Sequence, residues 1–363
     1  MSDIEKRYEI VPQMREYDRM QMDWVPYLMS FQASGYSSDV VNTDSRGFRI
    51  NYKGEDAVAN FQNPHDLPVS LLMGGSTAFG IGTTGDRKTI PSLLNASTDD
   101  LWFNFGGRAF SSTQEFFLFL FYHVWLKKIR RIVIFSGINN LSLIYLSRGY
   151  IKEIGPFFHW NRFQKMMRET PLSPKRKILK TLFHPVCGDQ IDYASISLGQ
   201  LFTNIFRKGQ SSPREAHPSE VNKISDDPGQ KKEDLLHVMD RDIRNWRLMC
   251  GALGIELFYV LQPLANWIQR KPSGEEEILF GILDRREDNV WNVLRDHMGD
   301  EQYRWFSGHL GRICRSYEVP FYDLNEMLTR RKLDGAWLFV DRIHLTDEGN
   351  RITSNIIQEE IIS

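Results

Sequence analysis

Three short apolar runs constrain this chain more than anything else in it. They are "LPVSLLMGG" (67–75), "LWFNFGG" (101–107) and "RRIVIFSGINN" (130–140), and each ends in glycine or asparagine. Unbroken apolar runs of this length, rather than alternating ones, are what strands buried on both faces require. Between them lie "TIPSLLN" (89–95) and "SSTQEFFLFLFYHVWLKK" (111–128), the second opening on serine and threonine caps. Both read as helical. Strand, helix, strand, helix, strand points to βαβ units and a parallel sheet.

The pattern breaks and then resumes. Residues 151–231 mix aromatics, basic residues and prolines without a period, and 207–234 carry almost no large apolar side chain. The segment is expected to be an insertion, partly a flexible loop. Beyond it, "EDLLHVMDRDIRNWRLMCGALG" (233–254) is a predicted helix closed by glycine, and "IELFYVLQP" (255–263) a predicted strand closed by proline. A helix over 301–318, a short strand over 319–324 and a last helix from Thr346 complete the α/β part. The main domain thus spans 67–150 and 232–363. Residues 1–66, polar and aromatic, are expected to pack on it as an N-terminal extension.

Composition excludes several classes. The chain has 363 residues and a formal net charge of −1, so no basic field calls for nucleic acid. The basic run "SPKRKILK" (173–180) reads as solvated surface. Cys187, Cys250 and Cys314 are far apart and form no CxxC pair, which fits free buried thiols better than a disulfide framework or zinc site. The most apolar stretch, "FFLFLFYHVWL" (116–126), is too short to span a bilayer. The first twenty residues lack the apolar core of a signal peptide, so the expected compartment is the cytoplasm. No HExxH, Walker A or strand-linked GxGxxG pattern is present, and neither metal nor cofactor is expected. His123, on an apolar helix, reads as packed there.

In open parallel sheets ligands bind at the carboxyl ends of the strands. Ser76, "NFGGRAFSS" (104–112), "SGINN" (136–140) and "QPLANW" (262–267) all lie at or just beyond such ends. Late in the chain, "LFVDRIHLTDEGN" (338–350) places Asp341 three residues before His344, ahead of a helix that Thr346 can cap. A serine, a histidine and an aspartate at loop positions are the parts of a nucleophilic triad. The imidazole takes the hydroxyl proton, and the carboxylate fixes the ring's tautomer and steadies the imidazolium. Backbone amides in a glycine-rich turn, or an asparagine side chain, can face the oxyanion that forms. Each motif alone is common, and it is their order and placement that carry weight.

In that order the chain resembles the SGNH hydrolases, the GDSL esterase/lipase superfamily. Its first block, usually Gly-Asp-Ser, reads "GGST", with Ser76 in the nucleophile's place and Gly75 where aspartate is usual. The second block starts at Asn104 and puts Ala109 where the family has an oxyanion-binding glycine. The third, "GINN", supplies Gly137 and Asn139, with Asn140 replacing aspartate. The fourth, "DRIH", supplies Asp341 and His344. "NTDSRGFR" (42–49) resembles a segment found ahead of the first block in some bacterial members. The resemblance implies a three-layer α/β/α flavodoxin-like sandwich with a parallel sheet of about five strands. It also implies a serine hydrolase that cleaves an acyl ester through an acyl-enzyme, its substrate a small-molecule or glycan ester. Ser76 would be nucleophile, His344 base and Asp341 its orienter. The amides of Ser76 and Ala109 and the side chain of Asn139 would form the oxyanion hole, Ala109 serving in glycine's place if its φ is negative. Two alternatives use the same residues: an O-acyltransferase acting on a glycan or natural-product hydroxyl, and an inactive SGNH-like binding domain. Trp267, Trp337 and Phe339 are placed either in a pocket wall or in the core.

Overall fold

A computed structural model describes residues 3–58, 61, 67–146, 157–158, 227–286 and 289–363. Nearly all of the predicted insertion 151–231 therefore lies outside the described residues, as does Cys187.

The three apolar runs are strands β1 (Val69–Gly74), β2 (Leu101–Gly106) and β3 (Ile129–Ser136), joined by β4 (Glu256–Leu261) and β5 (Phe321–Asp323). All five pair in parallel, in the order β2-β1-β3-β4-β5. This is the flavodoxin-like order, whose connections reverse direction beside β1. β1 and β2 are buried at every position, and the strands are apolar over most of their length because both faces are covered. Leu71, Met73, Phe103, Phe105, Ile132 and Ile134 point into one core. It is shared with helices α3 (Ser112–Tyr122), α4 (Ile138–Leu146), α5 (Pro228–Leu253) and α7 (Asp300–Ser316). The alternate residues Leu72, Trp102, Val133, Phe135 and Val260 point into a second core. It is shared with α1 (Ser76–Phe79), α2 (Ile90–Ser97), α8 (Leu324–Arg330) and α9 (Asp347–Ile356). The result is three layers, helix, sheet and helix. Helix α6 (Gly274–Asp284) was not anticipated from the sequence, and α5 begins at Pro228, earlier than expected. Among the described residues no helix is long and apolar enough to cross a membrane.

The N-terminal extension contributes two short helices, Asp3–Ile10 and Met14–Arg19, and two small antiparallel ribbons. Its apolar residues Val11, Met14, Tyr17, Met20 and Val41 form a third cluster. Their partners there are Phe79, at the end of α1, and Val340, beside Asp341. The extension thus packs on the carboxyl-end loops of the sheet.

Candidate active site

Register brings the strand ends to one edge. Gly74 pairs with both Gly106 and Phe135, and Ser136 pairs with Leu261. The loops after β1, β2, β3 and β4 therefore start side by side, and Ser76 and Asn139 flank the point where the connections reverse.

Ser76 is the first residue of α1, reached through Gly74 and Gly75. Gly74 has φ +154°, and a Cβ there would lie 2.1 Å from the Phe135 carbonyl oxygen. A Cβ on Gly75 would lie 2.5 Å from Asn139 Nδ2. A side chain at 75 would require the Asn139 amide to move.

His344 reaches Ser76 from 268 residues away, with Nε2 at 2.8 Å from Oγ. Its Nδ1 lies 2.7 Å from Asp341 Oδ2. The other carboxylate oxygen, Oδ1, accepts the backbone N–H groups of Ile343 and His344, each at 2.8 Å. Burial would raise the Asp341 pKa. The charge of His344, the bond to its ring and the two backbone donors outweigh burial and hold the carboxyl at about 2. The three sequence-predicted triad residues are thus one hydrogen-bonded line, and the ring nitrogen facing Ser76 is placed to take its proton.

The loop carrying Asp341 and His344 is held on all sides. Val340 N–H donates to the His344 carbonyl (2.9 Å), which closes the turn. Thr346 caps α9 by accepting from Gly349 N–H (3.0 Å), while its own hydroxyl donates to the Trp337 carbonyl (2.7 Å). Buried Glu276 accepts the N–H groups of Leu338 and Phe339 and pairs with Arg270. Asp347 accepts the N–H and hydroxyl of Thr84, tying this loop to the one after α1.

Of the predicted oxyanion residues, Asn139 lies against Gly75, the residue before Ser76. Asn139, on the first turn of α4, donates from Nδ2 to the Phe110 carbonyl at 2.7 Å. That uses one of its two amide hydrogens. The condition under which Ala109 would replace glycine freely, a negative φ, is not met: its φ is +62°, so its amide is presented only at the strain of a left-handed alanine. This left-handed conformation explains why glycine suits the position and marks Ala109 as locally strained. Asn140 points away from the site. Its Oδ1 accepts Ser112 N–H and its Nδ2 donates to Ser112 Oγ, at 2.8 Å each. Ser112 Oγ in turn donates to buried Asp242.

The aromatic candidates divide. Phe339 is fully buried in the second core, and Trp267, 3% exposed, packs in the first with its indole N–H on the Met298 carbonyl (2.9 Å). Both belong to the core. Trp337 is half-buried against the N-terminal cluster. His123 is packed as expected, stacked on Phe119.

Several residues that hold the site carried no local sequence signal for that role. Asn104, noted only as the start of a block, donates to the carbonyls of Ala78 (3.1 Å) and Phe79 (3.2 Å) in α1. Buried Gln262 donates to the hydroxyl of Thr77, next to Ser76, at 3.2 Å. Arg49 and Tyr17 grip the loop after β1 from the extension side, and Arg108, on the loop after β2, reaches back to the extension's Tyr17 carbonyl. These contacts join residues up to 185 apart, so no spacing rule announces them.

No family model matches the chain, and no curated protein matches it. Among solved structures it is similar to an acetyl xylan esterase at 11% identity and TM-score 0.35, over 81% of this chain and 99% of that one. It is similar to an acylhydrolase from Bacteroides fragilis described as putative, at 14% identity and TM-score 0.38, over 83% and 88%. It is also similar to a lipase/acylhydrolase from Enterococcus faecalis at 13% identity and TM-score 0.37, over 81% and 95%.

Proposed function

We propose that this protein is a serine ester hydrolase of the SGNH type, working through an acyl-enzyme on Ser76. The observation that carries the proposal is the continuous line from Asp341 through His344 to Ser76 Oγ. Ser76 Oγ attacks the ester carbonyl carbon as His344 Nε2 takes its proton. Asp341, still ionised because its pKa is near 2, holds Nδ1–H and stabilises the imidazolium. The carbonyl oxygen becomes an oxyanion facing the Ser76 and Ala109 amides and the second N–H of Asn139. Collapse expels the alcohol, protonated by His344. Water, deprotonated by the same nitrogen, then releases the acid and regenerates Ser76.

The test is labelling with a fluorophosphonate, read by mass spectrometry. One adduct on Ser76, absent in Ser76→Ala, is expected; folded wild-type protein that takes no adduct would overturn the reading. Product analysis of an activated acetyl ester, with and without an added alcohol, then separates hydrolysis from acyl transfer.

A further inference from the structure

We infer that Arg49 is a positioning residue, through which the N-terminal extension sets the placement of Ser76. The inference rests on Ser76 being the nucleophile.

Helix α1 is a single turn, too short to be stable by its own hydrogen bonds. Its terminal carbonyls need outside partners, and those partners decide where its first residue sits. Arg49 is 1% exposed, and its five N–H donors have five acceptors. Nη1 donates to the carbonyls of Phe79 (3.1 Å) and Gly80 (2.8 Å), at the end of α1. Nη2 donates to the Val40 carbonyl and Thr83 Oγ1, both at 3.0 Å. Nε donates to Asp86 Oδ1 at 2.7 Å. Asp86 is itself anchored by Asn42 through N–H (3.3 Å) and Nδ2 (2.8 Å). The guanidinium carbon lies over the Tyr17 ring at 5.6 Å and over the Phe79 ring at 5.3 Å from their centroids. Asn104 holds the same Phe79 carbonyl from the sheet side. Helix α1 is thus gripped between β2 and the extension.

The extension grips the facing loop as well. Arg108, next to Ala109, donates to the carbonyls of Tyr17 (3.1 Å) and Met20 (2.8 Å). Gln32 donates to the Gly106 carbonyl at 2.8 Å. Tyr17 meets both loops, since its hydroxyl is 3.1 Å from the Gly80 carbonyl. One segment therefore spans the two loops whose separation sets the distance from nucleophile to oxyanion donor. A buried ion pair is weak evidence for a stability role. A shift of about 1 Å in a reacting group can cost about 100-fold in rate.

The experiment measures the rate constant and affinity of fluorophosphonate labelling at Ser76 alongside thermal unfolding. The proteins are wild type, Arg49→Lys, Arg49→Met and Leu310→Ala. Leu310 lies in the opposite helical layer and is a control for lost stability. Lysine keeps the charge facing Asp86 but cannot reproduce the fork on Phe79 and Gly80. Arg49→Lys is expected to recover stability lost in Arg49→Met yet label about 10- to 100-fold more slowly than wild type, with affinity changed by less than about twofold. Leu310→Ala is expected to lose stability and keep the wild-type rate constant. Arg49→Lys labelling at the wild-type rate, or Leu310→Ala slowing as much, overturns the inference while the nucleophile stands. An unlabelled wild type instead overturns the functional reading beneath it. If neither Arg49 variant folds, Tyr17→Phe decides, since it removes only the hydroxyl beside Gly80: slower labelling at unchanged affinity supports the inference and an unchanged rate overturns it.

Discussion

Replacing Glu115 by glutamine isolates one titratable carboxyl at the base of the site. Glu115 lies on α3 with no exposure, its Oε1 accepting the Ser136 hydroxyl at 2.6 Å where β3 ends. Its Oε2 has no hydrogen-bond partner among the described residues. Burial raises its pKa, the Ser136 bond lowers it, nearby Asp242 raises it, and the outcome is a carboxyl pushed up to about 8 from 4.5. In the unfolded chain the group ionises near its ordinary value, so between pH 4.5 and 8 the folded state holds a proton that the unfolded state has released. The contribution to stability is then whole below about 4.5 and is lost as pH rises towards 8. At 1.36 kcal/mol per pKa unit, the loss between pH 5.5 and 8.5 is about 3 kcal/mol. Glutamine can still accept from Ser136 and does not titrate. Urea unfolding across this range, for wild type and Glu115→Gln, reads the difference directly, because other titrating groups cancel. The two stability curves should diverge by about 3 kcal/mol, with the variant gaining on wild type as pH rises. Parallel curves would mean that Glu115 is ionised or hydrated in the fold, and the reasoning would fail.

Three further outcomes are expected. Asn139→Ala should lower kcat by about 10²- to 10³-fold with little change in KM, the cost of one oxyanion donor; unchanged kcat would remove Asn139 from the oxyanion hole. Ala109→Gly relieves a left-handed alanine of about 1–2 kcal/mol strain at the cost of a more flexible unfolded chain, so chemical unfolding should show a gain of about 0.5–1 kcal/mol. A loss of that size would contradict the positive φ. Asp341→Asn should cut kcat by about 10⁴-fold by favouring the wrong tautomer. The Asp341 carboxylate's contribution to stability, present above pH 3.8, should disappear in wild type as pH falls towards 2 and be missing from the variant.

What could be read from the sequence was local, and what could not was convergent. The strands β1, β2 and β3 were legible because burial on both faces leaves an unbroken apolar run, and their ends were legible because a chain turning into a ligand crevice needs glycine or asparagine. The proposed triad residues Ser76, Asp341 and His344 could be picked out from the order of short motifs, each confined to a few residues. Helix α6 went unseen although Ser273 and Glu276 form a capping box, because an acidic first turn, "GEEE", hides a short apolar stripe. The strain at Ala109 was invisible since alanine advertises no φ.

The extension shows the same limit most sharply. Residues 1–66 read as a polar and aromatic extension expected to pack on the main domain, with nothing in their spacing to say which loops they meet. In the structure apolar residues of the segment meet Phe79, at the end of the turn that Ser76 opens, and Val340, next to Asp341, and the buried guanidinium of Arg49 closes the end of α1. A buried arginine and a surface arginine are spelled alike, and only the fold shows that five acceptors surround this one. If Ser76 is the nucleophile proposed above, it stands on one turn of helix with little stiffness of its own, and its precision must come from packed and hydrogen-bonded neighbours. Motifs list the groups that react, while the residues that hold them still are dispersed through the chain.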